Sequence, residues 1–164
     1  GGGLECIEKC KLFTPDIILM DEPFAALDAI TRNGLQKELF EKEQKVDPKK
    51  VFFVGLRDLD PKEKDLMRSA EVNALTMTDI DRIGFTETVK RVTDFIRNET
   101  DVVHVSFDMD VMDPMYAPGV GIPLPGGLTY REILLLMEEL SKTQKVKSYT
   151  KAYYGSLQAR EKQG

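Results

Sequence analysis

Three short runs of almost uninterrupted apolar residues constrain the fold of this chain more than any other feature. The runs are Ile17 to Met20, Val51 to Val54 and Val102 to Phe107. A strand with one buried face alternates apolar and polar residues, whereas a strand buried on both faces reads as a continuous apolar run. Stretches with helical periodicity separate the runs. This order predicts an α/β fold of three layers, α/β/α, with a mainly parallel sheet of about four to six strands.

Caps and periodicity predict the remaining elements. Three helix caps are predicted, at Asp60, Thr86 and Thr129. Thr129 is predicted to form a capping box with Glu132 and to begin a helix that runs through Leu140. Three further segments complete the prediction: a helix from Asp28 to Gln44, a strand from Val72 to Met77, and a polar tail from Lys151 to Gly164 that is either frayed or a surface helix.

Two aspartates follow the third apolar run with one residue between them. Because side chains alternate along an extended chain, Asp108 and Asp110 are expected to share one side and to converge on one cation. The stretch from Asp113 to Gly127 is rich in Pro and Gly and predicts a loop at the carboxyl end of the strand, where open α/β sheets place their ligands. The pair is therefore a candidate metal site. The alternative is a pair of solvated or turn-capping carboxylates.

The residues around this pair resemble the arginase, agmatinase and formiminoglutamase family, the ureohydrolases. That family's signature is matched by Ser106, Asp108, Asp110, Pro114, Pro118, Gly119 and Gly127. The likeness covers roughly residues 47 to 143. The wording Gly-Leu-Arg-Asp from Gly55 and Leu-Thr-Tyr-Arg-Glu from Leu128 looks most like arginase proper.

The resemblance implies a metal-dependent hydrolase. In that family two Mn²⁺ ions share a bridging hydroxide that attacks the guanidinium carbon of a substrate such as arginine or agmatine, which yields urea and an amine. It would make Asp108 and Asp110 metal ligands, in keeping with the preference of Mn²⁺ for carboxylate oxygen. A bound metal ion lowers the pKa of water, so that hydroxide becomes accessible near neutral pH.

The chain also departs from the family pattern. The family's upstream His and its Asp-x-His-x-Asp segment have no counterpart, and Ile122 stands where arginases usually carry Thr. The one histidine, His104, lies inside the third apolar run and is interpreted as a core residue. We therefore expect weak, mononuclear Mn²⁺ binding and activity near background, and the sequence assigns no catalytic residue.

The segment from residue 15 to residue 40 resembles a different family, the ABC-transporter ATPases. Asp16 to Pro23, followed by Ala26-Leu27-Asp28, is similar to their Walker B strand and D-loop. This resemblance would make Asp21, Glu22 and Asp28 nucleotide-associated residues and Mg-ATP the ligand. The alternative is a buried strand that turns into a helix, because no Gly-x-x-x-x-Gly-Lys-Ser/Thr loop is present in the sequence.

Two partial resemblances predict three segments within one compact domain. These are an ABC-ATPase-like segment over residues 1–46, an arginase-like segment over 47–150 and the tail over 151–164. The charged stretch from Lys42 to Lys50 is the expected junction. An ATPase-derived module, a chimera without activity, an engineered or excised sequence and a truncated reading frame stay open as alternatives.

Composition narrows the expected partners. A formal net charge of −5 argues against nonspecific nucleic-acid binding, which needs a basic face. No apolar run is long enough to insert into a membrane as a spanning helix. Cys6 and Cys10 are expected to be ordinary thiols, so the cytoplasm is the expected compartment, and a homo-oligomer is compatible with the sequence.

Overall fold

The computed structural model describes residues 16–20, 47–121 and 123–152, with side chains described in 47–121 and 123–149. Several predicted features therefore lie outside the described residues: the helix from Asp28 to Gln44, Cys6, Cys10, Asp21, Glu22, Ile122 and residues 153–164 of the tail. Within the described residues, no helix combines the length and apolar character required to cross a bilayer.

The described residues contain a five-stranded parallel sheet. Its strands are β1 (Asp16–Met20), β2 (Val51–Leu56), β3 (Asn73–Thr76), β4 (Val103–Asp108) and β5 (Val146–Ala152). Their spatial order is β3-β2-β1-β4-β5, and every neighbouring pair runs parallel. The predicted fold class and strand number are confirmed.

The order of the strands reverses between β1 and β4. From the central strand β1 the chain moves outward to β2 and β3, and then returns to the other side of β1 to form β4 and β5. Met20 pairs with Phe107, so the carboxyl ends of β1 and β4 lie side by side. Such a reversal leaves a crevice at the carboxyl ends of the two strands, where open α/β sheets bind ligands.

Helices cover both faces of the sheet. They are α1 (Pro61–Ser69), α2 (Met77–Ile83), α3 (Phe85–Glu99) and α4 (Tyr130–Lys142). Alternate residues of β2 point to opposite faces, as the period of a strand requires. On one face Phe53 joins a cluster with Met67 of α1. On the other face Phe52 joins the larger cluster, and its ring meets that of Phe95 edge to face at 5.2 Å.

Two of the three predicted caps are confirmed. Asp60 accepts a hydrogen bond from the Glu63 amide at 2.9 Å, and the Glu63 carboxylate accepts one from the Asp60 amide at 3.0 Å. Thr129 and Glu132 form the same reciprocal pair at the start of α4. Each pair satisfies two of the backbone amides that a helix start leaves unbonded.

The third predicted cap and two predicted boundaries are wrong. Helix α3 begins one residue before Thr86, at Phe85, after Gly84 with a φ of 82° and without a side-chain cap. The strand predicted from Val72 to Met77 ends at Thr76, which caps α2 through a capping box with Asp79. Lys151 and Ala152, assigned to the tail, pair with β4 as the end of β5. The capping box at Thr76 ends the strand before Met77, and pairing with β4 extends β5 into the predicted tail.

Replacing Thr129 by Ala tests how much the capping box of α4 contributes. The change removes the hydroxyl that bonds the Glu132 amide, so we expect the free energy of unfolding to fall by about 1 kcal/mol. Urea denaturation followed by circular dichroism measures it. Ser141→Ala is the matched control, because Ser141 is exposed and its hydroxyl donates to the Glu138 carbonyl within the same helix. A loss equal to that of the control would contradict the role of the cap.

Candidate metal site

Asp108 and Asp110 lie in one turn at the carboxyl end of β4. Asp108 is the last residue of the strand, and Asp110 lies in the 3-10 helix Met109–Val111 that follows. The Asp110 amide donates to Oδ1 of Asp108 at 3.0 Å. The prediction that Asp108 and Asp110 share one side of an extended chain is therefore wrong about the extended chain, because Asp108 caps the 3-10 turn that starts immediately after it. The turn still brings both residues to the same end of β4.

Both aspartates are buried. The exposed fraction is 3% for Asp108 and 4% for Asp110. Carboxylates out of contact with water require hydrogen-bond donors or a cation nearby, because burial removes the solvation of their charge. A carboxylate oxygen has more than one lone pair, so the capping role of Asp108 is compatible with metal ligation.

The donor set fits a hard or borderline divalent cation such as Mn²⁺, which prefers oxygen ligands. It is a partial set. No group of three or more His, Cys, Asp and Glu side chains forms a metal cluster among the residues described in 47–121 and 123–149. Asp108 and Asp110 alone would leave most of the coordination positions of such an ion to water.

The loop after the two aspartates is closed by backbone hydrogen bonds. The Leu128 amide donates to the Val111 carbonyl, and the Asp113 amide donates to the Leu128 carbonyl, both at 2.9 Å. Gly127 makes this closure possible, because a Cβ there would lie 2.5 Å from the carbonyl carbon of Met112. The loop thus returns to within van der Waals contact of the turn that carries Asp110.

Asp113 joins the two ends of the same loop. Its Oδ1 accepts from the Met115 amide at 2.9 Å and its Oδ2 from the Gly126 amide at 2.8 Å. These backbone donors, Met115 first, lower the pKa of the Asp113 carboxyl, and the charge of Arg57 adds a smaller effect. Hydrogen bonds to the ionised form stabilise that form, which is why the pKa falls.

Strand β2 also reaches the 3-10 turn Met109–Val111, which is called the metal turn below because it carries the candidate ligand Asp110. Gly55 has a φ of 88°, and the pairing register between β2 and β3 shifts at this point. A Cβ on Gly55 would lie 2.5 Å from Cγ2 of Val111, which is fully buried. Glycine therefore allows the end of β2 to pack directly against the turn that carries Asp110.

Arg57 binds this turn from the end of β2. Its Nη2 donates to the carbonyl oxygens of Asp110 and, at 3.1 Å, Leu124, and its Nη1 lies 3.4 Å from the Val111 carbonyl oxygen. The sequence analysis missed Arg57, Gly55 and Asp113 as parts of the site. The Gly-Leu-Arg-Asp motif from Gly55 was the available signal. A local motif does not predict a hydrogen bond such as that from Arg57 to the Asp110 carbonyl, 53 residues further along the chain.

His104 takes no part in the turn. Its side chain is buried, and its Nδ1 lies 2.7 Å from the Ser148 hydroxyl of β5. A buried imidazole whose ring nitrogen has a hydrogen-bond partner is a satisfied core residue. The interpretation of His104 as a core residue is confirmed.

A cleft of about 500 Å³ opens beside this region, at the carboxyl ends of β2 and β3. Its lining combines apolar and polar side chains, and four of the latter are basic: Arg57, Lys64, Arg68 and Arg82. Arg57 lines this cleft and also donates a hydrogen bond to the turn that carries Asp110.

Comparisons with known proteins identify the family. The sequence profile of the arginase family matches residues 28–149, more than half of the chain. Arginase from Bacillus caldovelox is 42% identical over 104 residues, which cover 63% of this chain and 35% of that protein. Arginase from Eremothecium gossypii is 41% identical over 97 residues, which cover 58% of this chain and 24% of that protein. The chain belongs to the arginase family and contains an arginase-like, ureohydrolase-derived domain.

Solved structures agree with this assignment. The native structure of the Bacillus caldovelox arginase matches with a TM-score of 0.78 at 29% identity, over 96% of this chain and 60% of that one. Arginase from Bacillus cereus matches with a TM-score of 0.80 at 28% identity, over 95% of this chain and 60% of that one. The chain spans about a third or less of the length of the two curated relatives above.

The comparisons give no support to the resemblance between residues 15–40 and ABC-transporter ATPases. The arginase match begins at residue 28, upstream of the expected junction between Lys42 and Lys50. Asp21, Glu22 and Asp28 lie outside the described residues. The three-segment division, the chimeric origin, the cytoplasmic compartment and a homo-oligomer stay predictions.

Gly55→Ala tests the close packing of β2 against the metal turn. The substitution places a Cβ against the stiff side chain of Val111 and strains a backbone at positive φ. We expect the free energy of unfolding to fall by about 1 to 3 kcal/mol. Gly119→Ala is the matched control, with nothing within 4 Å of the new Cβ, and should change stability by less than about 0.5 kcal/mol. Equal stability of the two variants in urea denaturation would refute the packing argument.

Asp113→Asn tests the carboxylate that joins the ends of the loop. Because the pKa of Asp113 is lowered in the folded protein, its stabilising effect is present above its usual value of 3.8 and disappears as the pH falls through the lower folded value. The difference in unfolding free energy between the wild type and the variant should therefore be largest near neutral pH and shrink below about pH 4. Denaturation curves at several pH values measure this difference. A difference independent of pH would contradict the ionised role of Asp113.

Proposed function

We propose that Asp108 and Asp110 are metal ligands of a ureohydrolase site, and that Mn²⁺ is the metal they take. One observation supports the proposal more strongly than any other. Two buried carboxylates lie at the carboxyl end of β4, where the strand order reverses, inside the segment that matches the arginase family. Turn-capping engages one oxygen of Asp108, and a divalent cation between the two carboxylates would offset the cost of burying both.

The proposed reaction is hydrolysis of a guanidino compound such as arginine or agmatine to urea and an amine. Support comes from the family match and from the arginases among the relatives. A bound Mn²⁺ would supply a water of lowered pKa as the nucleophile, whose oxygen would form the new bond to the guanidinium carbon. The residues of this chain would hold the metal through Asp108 and Asp110 and keep their turn in place through the closed loop.

The described residues supply only part of such a site. Hydrolysis requires a complete ligand set and groups that orient the guanidinium, and members of such a set act as a unit. We therefore expect Mn²⁺ binding that is weak and mononuclear, with urea formation near background in this chain. Choice between arginine and agmatine depends on groups that contact the far end of the substrate, for which the described residues offer no assignment.

Titration calorimetry with Mn²⁺ on the 164-residue chain tests the proposal. We expect one weak site, and its loss in both Asp108→Asn and Asp110→Asn, because a neutral amide of the same shape is a much poorer ligand for a hard cation. Asp81→Asn is the matched control, since Asp81 is exposed and lies in α2, and should bind as the wild type does.

Two results would contradict the proposal. One is the absence of Mn²⁺ binding in the wild type. The other is tight binding of two ions that survives Asp108→Asn, which would place the ligands elsewhere in the chain. A parallel titration with Mg-ATP tests the nucleotide alternative, and binding that is lost in Asp21→Asn would favour it.

A further inference from the structure

Arg57 connects three backbone segments of the candidate site. Its guanidinium donates to carbonyl oxygens of the metal turn, at Asp110 and Val111, and to that of Leu124 in the distal half of the loop. The side chain thus bridges β2, the turn that carries Asp110 and the loop that returns to that turn. None of these three contacts is between neighbours in sequence, so each depends on the tertiary fold.

The geometry suits the fork of an arginine. A guanidinium presents five N–H donors in a planar fork, whereas a lysine ammonium is a compact charge on a flexible stem. Arg57 divides its contacts between two nitrogens, Nη2 toward Asp110 and Leu124 and Nη1 toward Val111, whereas a lysine would direct all its donors from one nitrogen. Gly55 places the fork within reach, because the close contact between β2 and Val111 brings the end of the strand against the turn.

We propose that Arg57 is a positioning residue for the metal turn. By holding the Asp110 and Leu124 carbonyls together, it fixes the peptide that carries the Asp110 carboxylate and so sets the affinity of the site for a divalent cation. Groups outside the ligand shell that orient metal ligands commonly change metal affinity by about 10- to 100-fold when they are removed. The affinity part of this inference rests on the proposed function, whereas the backbone part does not.

A purely structural role makes a different prediction. If Arg57 only adds to global stability, its removal should accelerate amide exchange everywhere in proportion to the loss of stability. If it holds the turn, its removal should release the turn and the loop while the core stays protected, because local opening has its own free energy. Two groups of amides separate the cases: those of Asp110, Asp113 and Leu128 at the site, and those of Val92 and Ile96 in the buried face of α3.

Hydrogen exchange on the metal-free 164-residue chain tests the backbone part. In Arg57→Met we expect exchange of the site amides to accelerate by about tenfold or more, with the α3 amides unchanged. Arg57→Lys should restore only part of the protection. Arg82→Met is the matched control, because Arg82 is an exposed residue of α2 that lines the same cleft. Equal acceleration at both groups of amides, or none at the site, would overturn the proposal.

Mn²⁺ titration of the same variants tests the affinity part. We expect about tenfold weaker binding in Arg57→Met and unchanged binding in Arg82→Met. Thr129→Ala serves as a second control, since the hydroxyl it removes bonds Glu132 at the start of α4, and it should also leave the affinity unchanged. Wild-type affinity in Arg57→Met would overturn the affinity part.

The hydrogen-exchange experiment and the Mn²⁺ titration together separate failure of the metal proposal from failure of the positioning role of Arg57. If the wild type does not bind Mn²⁺, the proposed function fails, and the exchange experiment still decides whether Arg57 holds the turn. If the wild type binds and Arg57→Met binds equally well, the metal proposal stands and the positioning role does not.

Discussion

Burial of two carboxylates in one short turn is the constraint on which the rest of the site depends. Asp108 and Asp110 have almost no contact with water, and they are two residues apart. Removing carboxylates from water costs several kcal/mol per group unless donors or a cation compensate. The backbone around them is arranged to limit that cost: the Asp110 amide points at Asp108, and the loop folds back to enclose the turn. A cation shared by the two carboxylates would oppose their mutual repulsion.

The fold creates this burial. Because β4 is paired on both sides, by β1 and by β5, its carboxyl end lies inside the sheet and not at an edge. The strand order reverses next to it, and such a reversal leaves a crevice at the carboxyl ends of β1 and β4, where open α/β sheets bind ligands. Gly55 and Gly127 then allow β2 and the returning loop to pack against the turn without intervening side chains. Position in the sheet and close backbone packing together define the site.

Much of the architecture could be predicted because it depends on local signals. Runs of apolar residues predicted β1, β2 and β4, and the Asp60 and Thr129 caps predicted where two helices begin. Strand β5 was missed because the apolar residues of Val146–Ala152 are separated by charged and polar ones. Its strand character comes from pairing with β4. The start of α3 was misplaced by one residue because the helix begins directly after Gly84, which has a positive φ, and not after a side-chain cap at Thr86. Helix α2 was not predicted.

The site was predicted less completely than the fold. The Asp108 and Asp110 pair was identified from spacing, but its geometry was misjudged because an aspartate at a strand end bonds the backbone two residues on. The contacts of Arg57 were not predictable, since each joins residues more than 50 positions apart and requires the tertiary structure. Sequence patterns identify residue types suited to a ligand, whereas the backbone that orients them appears only when the chain is folded.

Diffraction from crystals of the 164-residue chain soaked in Mn²⁺, recorded at the manganese absorption edge, tests the central claim most directly. The account predicts an anomalous peak bonded to the carboxylate oxygens of Asp108 and Asp110 at the carboxyl end of β4. A map without a peak at that turn, or with manganese bound only to other residues, would contradict it.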